Sequence, residues 1–189
     1  MVKASLPNAR IVIDAKATDS FDKELQDKYF FNKKDKDGIY GTNTDILLEC
    51  AYNVKKYTKN FDLKKDKLYC RCKGKYCTGY PAIIKEDLLK DLQSIRNKFG
   101  KTTVTSMLRC KKWNKLQKGK INSKHTKGLA VDYRNFNSLT LNGRKEEIDY
   151  WFTLKNPNYS YCNGYYRQKN RKGYKSCKSM GTSIHGDVK

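Results

Sequence analysis

The residues with the clearest claim to chemistry are two histidines and an aspartate. His125 and Asp132 stand in one run, Ser123-Lys124-His125-Thr126-Lys127-Gly128-Leu129-Ala130-Val131-Asp132. His185, the second of only two histidines, follows in Ser183-Ile184-His185-Gly186-Asp187-Val188. Two imidazoles and a carboxylate form a catalytic-type zinc set, three protein ligands with the fourth position left to water. Singly, His125 reads as a surface-turn histidine, Asp132 as the end of a strand and His185 as part of a tail. Together they read as a site.

Such a site needs elements that bring its members together. On an unbroken strand an odd offset sends two side chains to opposite faces, so a turn at residues 126 to 128 must swing His125 back over Asp132. Gly128 permits that turn. The clearest helix spans residues 82 to 99, where Ile84, Leu88, Leu92, Ile95 and Phe99 recur at helical spacing between Pro81 and a terminating Gly100. The Thr/Val-rich residues 101 to 107 read as a strand with Arg109 at its end. A short basic helix is expected at 111 to 118, with Trp113 and Leu116 inward, and another at about 144 to 154 on Ile148, Trp151 and Phe152. Residues 159 to 178 break at Asn163-Gly164 and read as a hairpin and loop beside the cleft. Their aromatics and lysines would equally suit an exposed loop or nucleic-acid stacking.

Upstream, Ile11 to Ile13 is a candidate strand. Ser20 caps a helix carrying Phe21, Leu25 and Tyr29, and Thr44 caps a second one carrying Leu47, Ala51 and Val54. Between them lies the turn Asp37-Gly38-Ile39-Tyr40-Gly41-Thr42-Asn43-Thr44.

The pattern Ser-x-His-x-x-Gly-x-Ala-x-Asp, with Ile-His-x-x-Val much later, resembles the signature of the zinc D-alanyl-D-alanine carboxypeptidase family of peptidoglycan peptidases. Phage endolysins belong to that family, and the Hedgehog signalling domain shares its zinc-site layout. The likeness extends upstream through Leu88 to Gly100 and Thr105-Ser106-Met107-Leu108-Arg109-Cys110, covering roughly residues 68 to 189. It implies Zn2+ held by His125, Asp132 and His185, with Arg109 as a fixed cation for the developing oxyanion. Ser123 would orient the metal-binding turn.

One departure stands out. Members of that family carry an acid or histidine three or five residues before the last ligand, where this chain has Thr182 and Met180, neither a proton acceptor near pH 7. Asp187 shares a strand face with His185 and is the candidate general base or holder of the catalytic water, with a role in orienting a metal ligand as the alternative. Glu146, Glu147 and Asp149 read as solvated charges near a helix start.

The turn at 37 to 44 is similar to the Asp-Gly-x-Phe/Tyr-Gly-x-x-Thr motif of small peptidoglycan-binding domains, over about residues 20 to 57. It nominates Asp37, Gly38, Tyr40, Gly41 and Thr44 as wall-binding. Its plainer reading is a spacer pair of helices.

Charge points the same way. Lysine and arginine number 41 against 19 acidic residues, a formal net charge of +22, so a polyanionic partner is expected. The lysines are scattered over both halves and no nucleic-acid-binding motif is evident, so nucleic acid is disfavoured; anionic cell-wall polymers would attract the same charge. The N-terminus has no apolar signal-peptide core and no stretch approaches the roughly 20 apolar residues of a membrane span. The expectation is synthesis in the host cytoplasm and action at the wall after release, or on a virion.

Cys70, Cys72 and Cys77 lie close together, and Cys50, Cys110, Cys162 and Cys177 bring the total to seven. An odd number argues against a complete disulfide framework at synthesis. Disulfides after release, a structural metal and buried free thiols all stay open. None of the cysteines is a nucleophile, since no further histidine could activate it.

The expectation is an α+β fold, helices on a small mixed or antiparallel sheet carrying the zinc site. It divides into a helical wall-binding segment at 1–62, a Cys-rich entry at 63–80 and a zinc peptidase domain at 81–189. The function is cleavage of the stem peptides of bacterial peptidoglycan by a phage lysin. An inactive wall-binding virion protein and a basic nucleic-acid-binding protein are the alternatives.

Overall fold

Residues 130–134 and 184–188 are short runs with inward-facing apolar side chains on one side, and they become two adjacent inner strands of the main sheet. The computed structural model describes residues 23–189 and, within the first 22, the backbone of two strands. Those two, β1 (Val2–Leu6) and β2 (Ala9–Ile13), pair antiparallel as a separate small sheet. Ser20 and Phe21, the expected start of the first helix, lie outside the described residues; helix α1 runs over 23–29.

Helix α2 (Thr42–Tyr57) starts earlier than expected, with Gly41 as its N-cap. Thr44 is therefore not the cap. It is buried in the first helical turn, where its Oγ1 accepts a hydrogen bond from Gln26 Nε2 at 3.1 Å. Helix α3 (Glu86–Phe99) starts later than its apolar spacing implied. Ile84 O accepts from Asn53 Nδ2 at 3.0 Å and Lys85 N–H donates to Gly128 O at 3.1 Å, so the backbone ahead of α3 is committed to partners outside the helix. Gly100 ends α3 at φ 83.

The main sheet is six-stranded and antiparallel throughout, in the order β3 (Thr103–Ser106), β4 (Ala130–Arg134), β8 (Ile184–Val188), β5 (Pro157–Cys162), β6 (Tyr165–Gln168), β7 (Arg171–Gly173). The last strand in sequence thus lies between β4 and β5. Helix α4 (Lys111–Leu116) follows β3, and its Leu116 is exposed, contrary to the inward packing expected of it. Asn114 is the residue buried there, its Nδ2 donating to Lys120 O at 2.8 Å.

Helix α5 (Leu141–Trp151) packs on one face of the sheet. Trp151 stacks on Tyr133 of β4, with ring centroids 6.2 Å apart, and lies so close to Gly186 of β8 that a Cβ there would stand 2.8 Å from its ring. Glu147 comes inside with it. The solvated charge expected at this position is fully buried, because the helix starts at Leu141 and places Glu147 on the face toward the sheet.

Buried side chains from Phe30 in the N-terminal part to Val188 at the C-terminal strand belong to one hydrophobic cluster. Among the described residues, no helix is long and apolar enough to cross a membrane.

Candidate active site

The face of the sheet opposite α5 carries the polar residues. Strand alternation sends Val131 and Tyr133 toward the helix side and Asp132 the other way. Register then aligns Ser106, Asp132, His185 and Tyr161 in one row across β3, β4, β8 and β5. Asp132 and His185 are direct cross-strand partners, 53 residues apart in the chain, with His185 Nδ1 2.8 Å from Asp132 Oδ1.

His125 arrives from a 3-10 turn (Lys124–Lys127) that ends at Gly128, φ 70. This is the turn the sequence requires. A side chain at Gly128 is excluded, since its Cβ would stand 1.9 Å from Ile83 O. The turn brings His125 Nε2 to 3.3 Å from Asp132 Oδ1. The three candidate ligand atoms of His125, Asp132 and His185 lie within 4.8 Å of one another, and all three residues are buried.

A tetrahedral zinc with bonds near 2.0–2.2 Å would set its ligand atoms roughly 3.3 Å apart. The 3.3 Å between His125 Nε2 and Asp132 Oδ1 suits such a shell, while His185 Nδ1 stands at hydrogen-bond length, 2.8 Å, from the same oxygen. His125 supplies a further test of fit. Its Nδ1 is 2.7 Å from Met107 O and donates to it, so a neutral ring points the bare lone pair of Nε2 at a carboxylate oxygen. Burial lowers the His125 pKa, partly offset by Asp132, and so favours that neutral ring. Two acceptors facing each other in a buried place is an arrangement a cation resolves.

Asp132 is ionised. Burial alone would raise its pKa, but His125 and His185 outweigh that and hold the carboxyl far below the usual carboxylate range. Its second oxygen, Oδ2, accepts from Arg109 at 2.6 Å, and Arg109 Nε donates to Ser106 Oγ at 2.9 Å. Arg109 therefore turns Oδ1 toward both histidines. For His185, burial works to lower the pKa, but the hydrogen bonds to Asp132 and Asp187 prevail and raise it.

Asp187 stands on the far side of the His185 ring. Its Oδ2 is 3.2 Å from His185 Nε2, and its Oδ1 accepts from Asn158 Nδ2 at 2.7 Å. Tyr161 lies against the His185 ring, with centroids 4.7 Å apart, and Ser160 Oγ donates to His185 O at 2.6 Å. Ser123 holds the His125 turn through its carbonyl oxygen, which accepts from Thr126 N–H at 3.0 Å and Thr126 Oγ1 at 2.7 Å.

Ser106, Asn158, Tyr161 and the Met107 carbonyl were not singled out from the sequence. Ser106 and Tyr161 join the site by strand register, and Asn158 and the Met107 carbonyl by hydrogen bonds to Asp187 and His125, none of which a local motif encodes.

The N-terminal motif lies apart from this row. Gln26 organises it, donating to Asp37 Oδ1 at 3.2 Å, Ile39 O at 3.0 Å and Thr44 Oγ1, while its Oε1 accepts from Gly38 N–H at 2.8 Å. Tyr40 and Ile39 are exposed, and Tyr40 Oη donates to Asp45 at 2.8 Å. A nearby cleft is lined by Asn32, Asp35, Asn43, Tyr76, Thr78 and Tyr80, and none of the three candidate ligands borders it.

Comparison with known proteins bears on the segment that carries His125 and Asp132. Residues 59–148 match the Peptidase M15 family. The resemblance to zinc D-Ala-D-Ala carboxypeptidases is thereby borne out over that stretch. The M15 match ends before β8, so His185 and Asp187 join the site through the fold alone. No curated protein and no solved structure matches the chain.

Proposed function

We propose that this protein is a zinc peptidase that hydrolyses peptide bonds in the stems of bacterial peptidoglycan, in the manner of a phage lysin. The observation that carries the reading is the convergence of His125, Asp132 and His185 in a chain whose residues 59–148 match the M15 family. Zinc held by these three residues would polarise the scissile carbonyl and make a water acidic enough to serve as nucleophile near neutral pH.

The chain's own residues do the rest. Met107 O fixes the tautomer of His125, and Arg109 fixes the orientation of Asp132. Arg109 keeps further N–H donors for the oxygen of the carbonyl under attack, where a fixed cation costs no reorganisation. Asp187, braced by Asn158, takes the outer N–H of His185 and aims its other nitrogen at Asp132. Those two contacts support a positioning role for Asp187.

The M15 match together with charge supports this substrate class, since a net +22 suits an anionic wall polymer. Division into a wall-binding segment at 1–62, a Cys-rich entry at 63–80 and a peptidase part at 81–189 is part of this proposal. Asp37, Gly38, Gly41 and Thr44 would shape the turn that presents Tyr40 to the wall.

The test is clearing of purified cell walls by the full chain with and without a chelator, alongside elemental analysis. Clearing that needs zinc, and is lost with zinc at that site in His185→Ala, is expected. Wall binding without clearing at any zinc level would make the protein an inactive wall-binding one.

A further inference from the structure

A second cluster of metal-binding groups lies outside the histidine site. The sulfurs of Cys70, Cys72, Cys77 and Cys110 all lie within 4.8 Å of one another, with Cys72 and Cys77 Sγ 3.4 Å apart. Three come from one tight loop, folded back on itself through Lys73 at φ 48 and Gly74 at φ 86. Its turns are held by Lys73 N–H to Cys70 O at 3.1 Å and Lys75 N–H to Cys72 O at 3.0 Å. The fourth comes from the N-cap of α4, 40 residues downstream of Cys70.

Tetrahedral zinc with Zn–S bonds near 2.3 Å places its sulfurs about 3.8 Å apart, so four sulfurs converging on one centre within 4.8 Å have the dimensions of such a shell. Two disulfides would instead draw the atoms into pairs near 2.05 Å. Backbone N–H groups already point at the sulfurs: Cys110 N–H to Cys70 Sγ at 3.3 Å and Trp113 N–H to Cys110 Sγ at 3.4 Å. Those are the hydrogen bonds thiolate ligands accept. The neighbours in sequence are Arg71, Lys73, Lys75, Lys111 and Lys112, cations that offset the net negative charge of a zinc with four thiolates.

We propose that Cys70, Cys72, Cys77 and Cys110 bind a second zinc ion, a structural one. The ion fastens the Cys-rich loop to the segment that builds the histidine site. Cys110 directly follows Arg109, and Arg71 donates from between two ligands to Val104 O at 3.2 Å and Thr105 O at 3.0 Å on β3. All four protein positions of this ion are filled, so it has no open place for water and serves architecture instead of hydrolysis. This inference stands independently of the peptidase reading.

The test is a zinc and free-thiol count on the full chain purified under reducing conditions. At least one zinc ion per chain, about two when the histidine site is also loaded, and seven titratable thiols after denaturation are expected in the wild type. His185→Ala should keep about one zinc, and its cobalt-substituted form should show intense thiolate-to-cobalt charge-transfer bands. The double variant Cys72→Ser/Cys77→Ser should lose the structural ion. If it does not fold, the His185→Ala measurement decides alone, because that variant keeps all four cysteines. Zinc falling to nothing in His185→Ala, only three free thiols in the wild type, or iron in place of zinc would each overturn the proposal.

Discussion

At Asp132 a single carboxylate serves three partners. Oδ1 faces both histidines and Oδ2 is held by Arg109. Asp187 repeats the pattern one step outward, with one oxygen on His185 and the other on Asn158. A residue that orients a ligand is expected to act through metal affinity. Asp187→Asn should weaken zinc binding at the histidine site by about 10- to 100-fold, read by chelator competition. Unchanged affinity with a rate loss on the order of 10² to 10⁴ would instead make Asp187 the general base that its place beside His185 first implied.

The element that decides the site's geometry is the turn before β4. Gly128 sits at φ 70 with Ile83 O where a side chain would be, and its own carbonyl accepts from Lys85 N–H. Gly128→Ala is therefore expected to cost at least about 1–3 kcal/mol and to lower zinc occupancy by displacing His125. Thermal unfolding and elemental analysis of the same preparation check both. A variant of wild-type stability and full zinc content would mean that the turn tolerates a Cβ and does not hold the histidine in place.

On the scale of the whole molecule, two buried acids couple the fold to pH. Burial pushes Glu147 up to about 7 from 4.5, and Asp91 up to about 7 from 3.8. An acid with a raised folded pKa holds a proton that the unfolded chain has released, so its contribution to stability is lost as pH rises from its ordinary value, 3.8 for Asp91 and 4.5 for Glu147, to about 7. Glu147→Gln should remove its share of that loss, on the order of 1–3 kcal/mol. Denaturant unfolding of wild type and variant at pH 5 and pH 7.5 measures it, and parallel curves would refute it. The net charge of +22 sets a second whole-molecule behaviour. Retention on purified walls should fall steeply with salt, as the screening length shrinks from about 10 Å at 0.1 M to about 3 Å at 1 M. A fraction that survives high salt and is lost in Tyr40→Ala would assign the N-terminal turn a direct role.

Local chemistry was readable in the chain itself. The spacing of His125, Gly128 and Asp132 required a glycine turn, the stripe from Ile84 to Phe99 required a helix, which starts at Glu86, and Asn163-Gly164 required a hairpin; each is there, because a turn or an amphipathic stripe depends on neighbours a few residues away. Boundaries shifted where distant groups intervened, as when Gln26 drew Thr44 inside α2 and Asn53 and Gly128 bound the backbone ahead of α3. Glu147 likewise looked like a solvated charge until the sheet covered it. The arrival of His185 beside Asp132, the bracing of Asp187 by Asn158 and the meeting of Cys110 with the Cys70 loop depend on strand order and packing across tens of residues. β8 enters between β4 and β5 because an antiparallel sheet with a buried face satisfies its backbone and apolar surface together, and that is a property of the assembled fold.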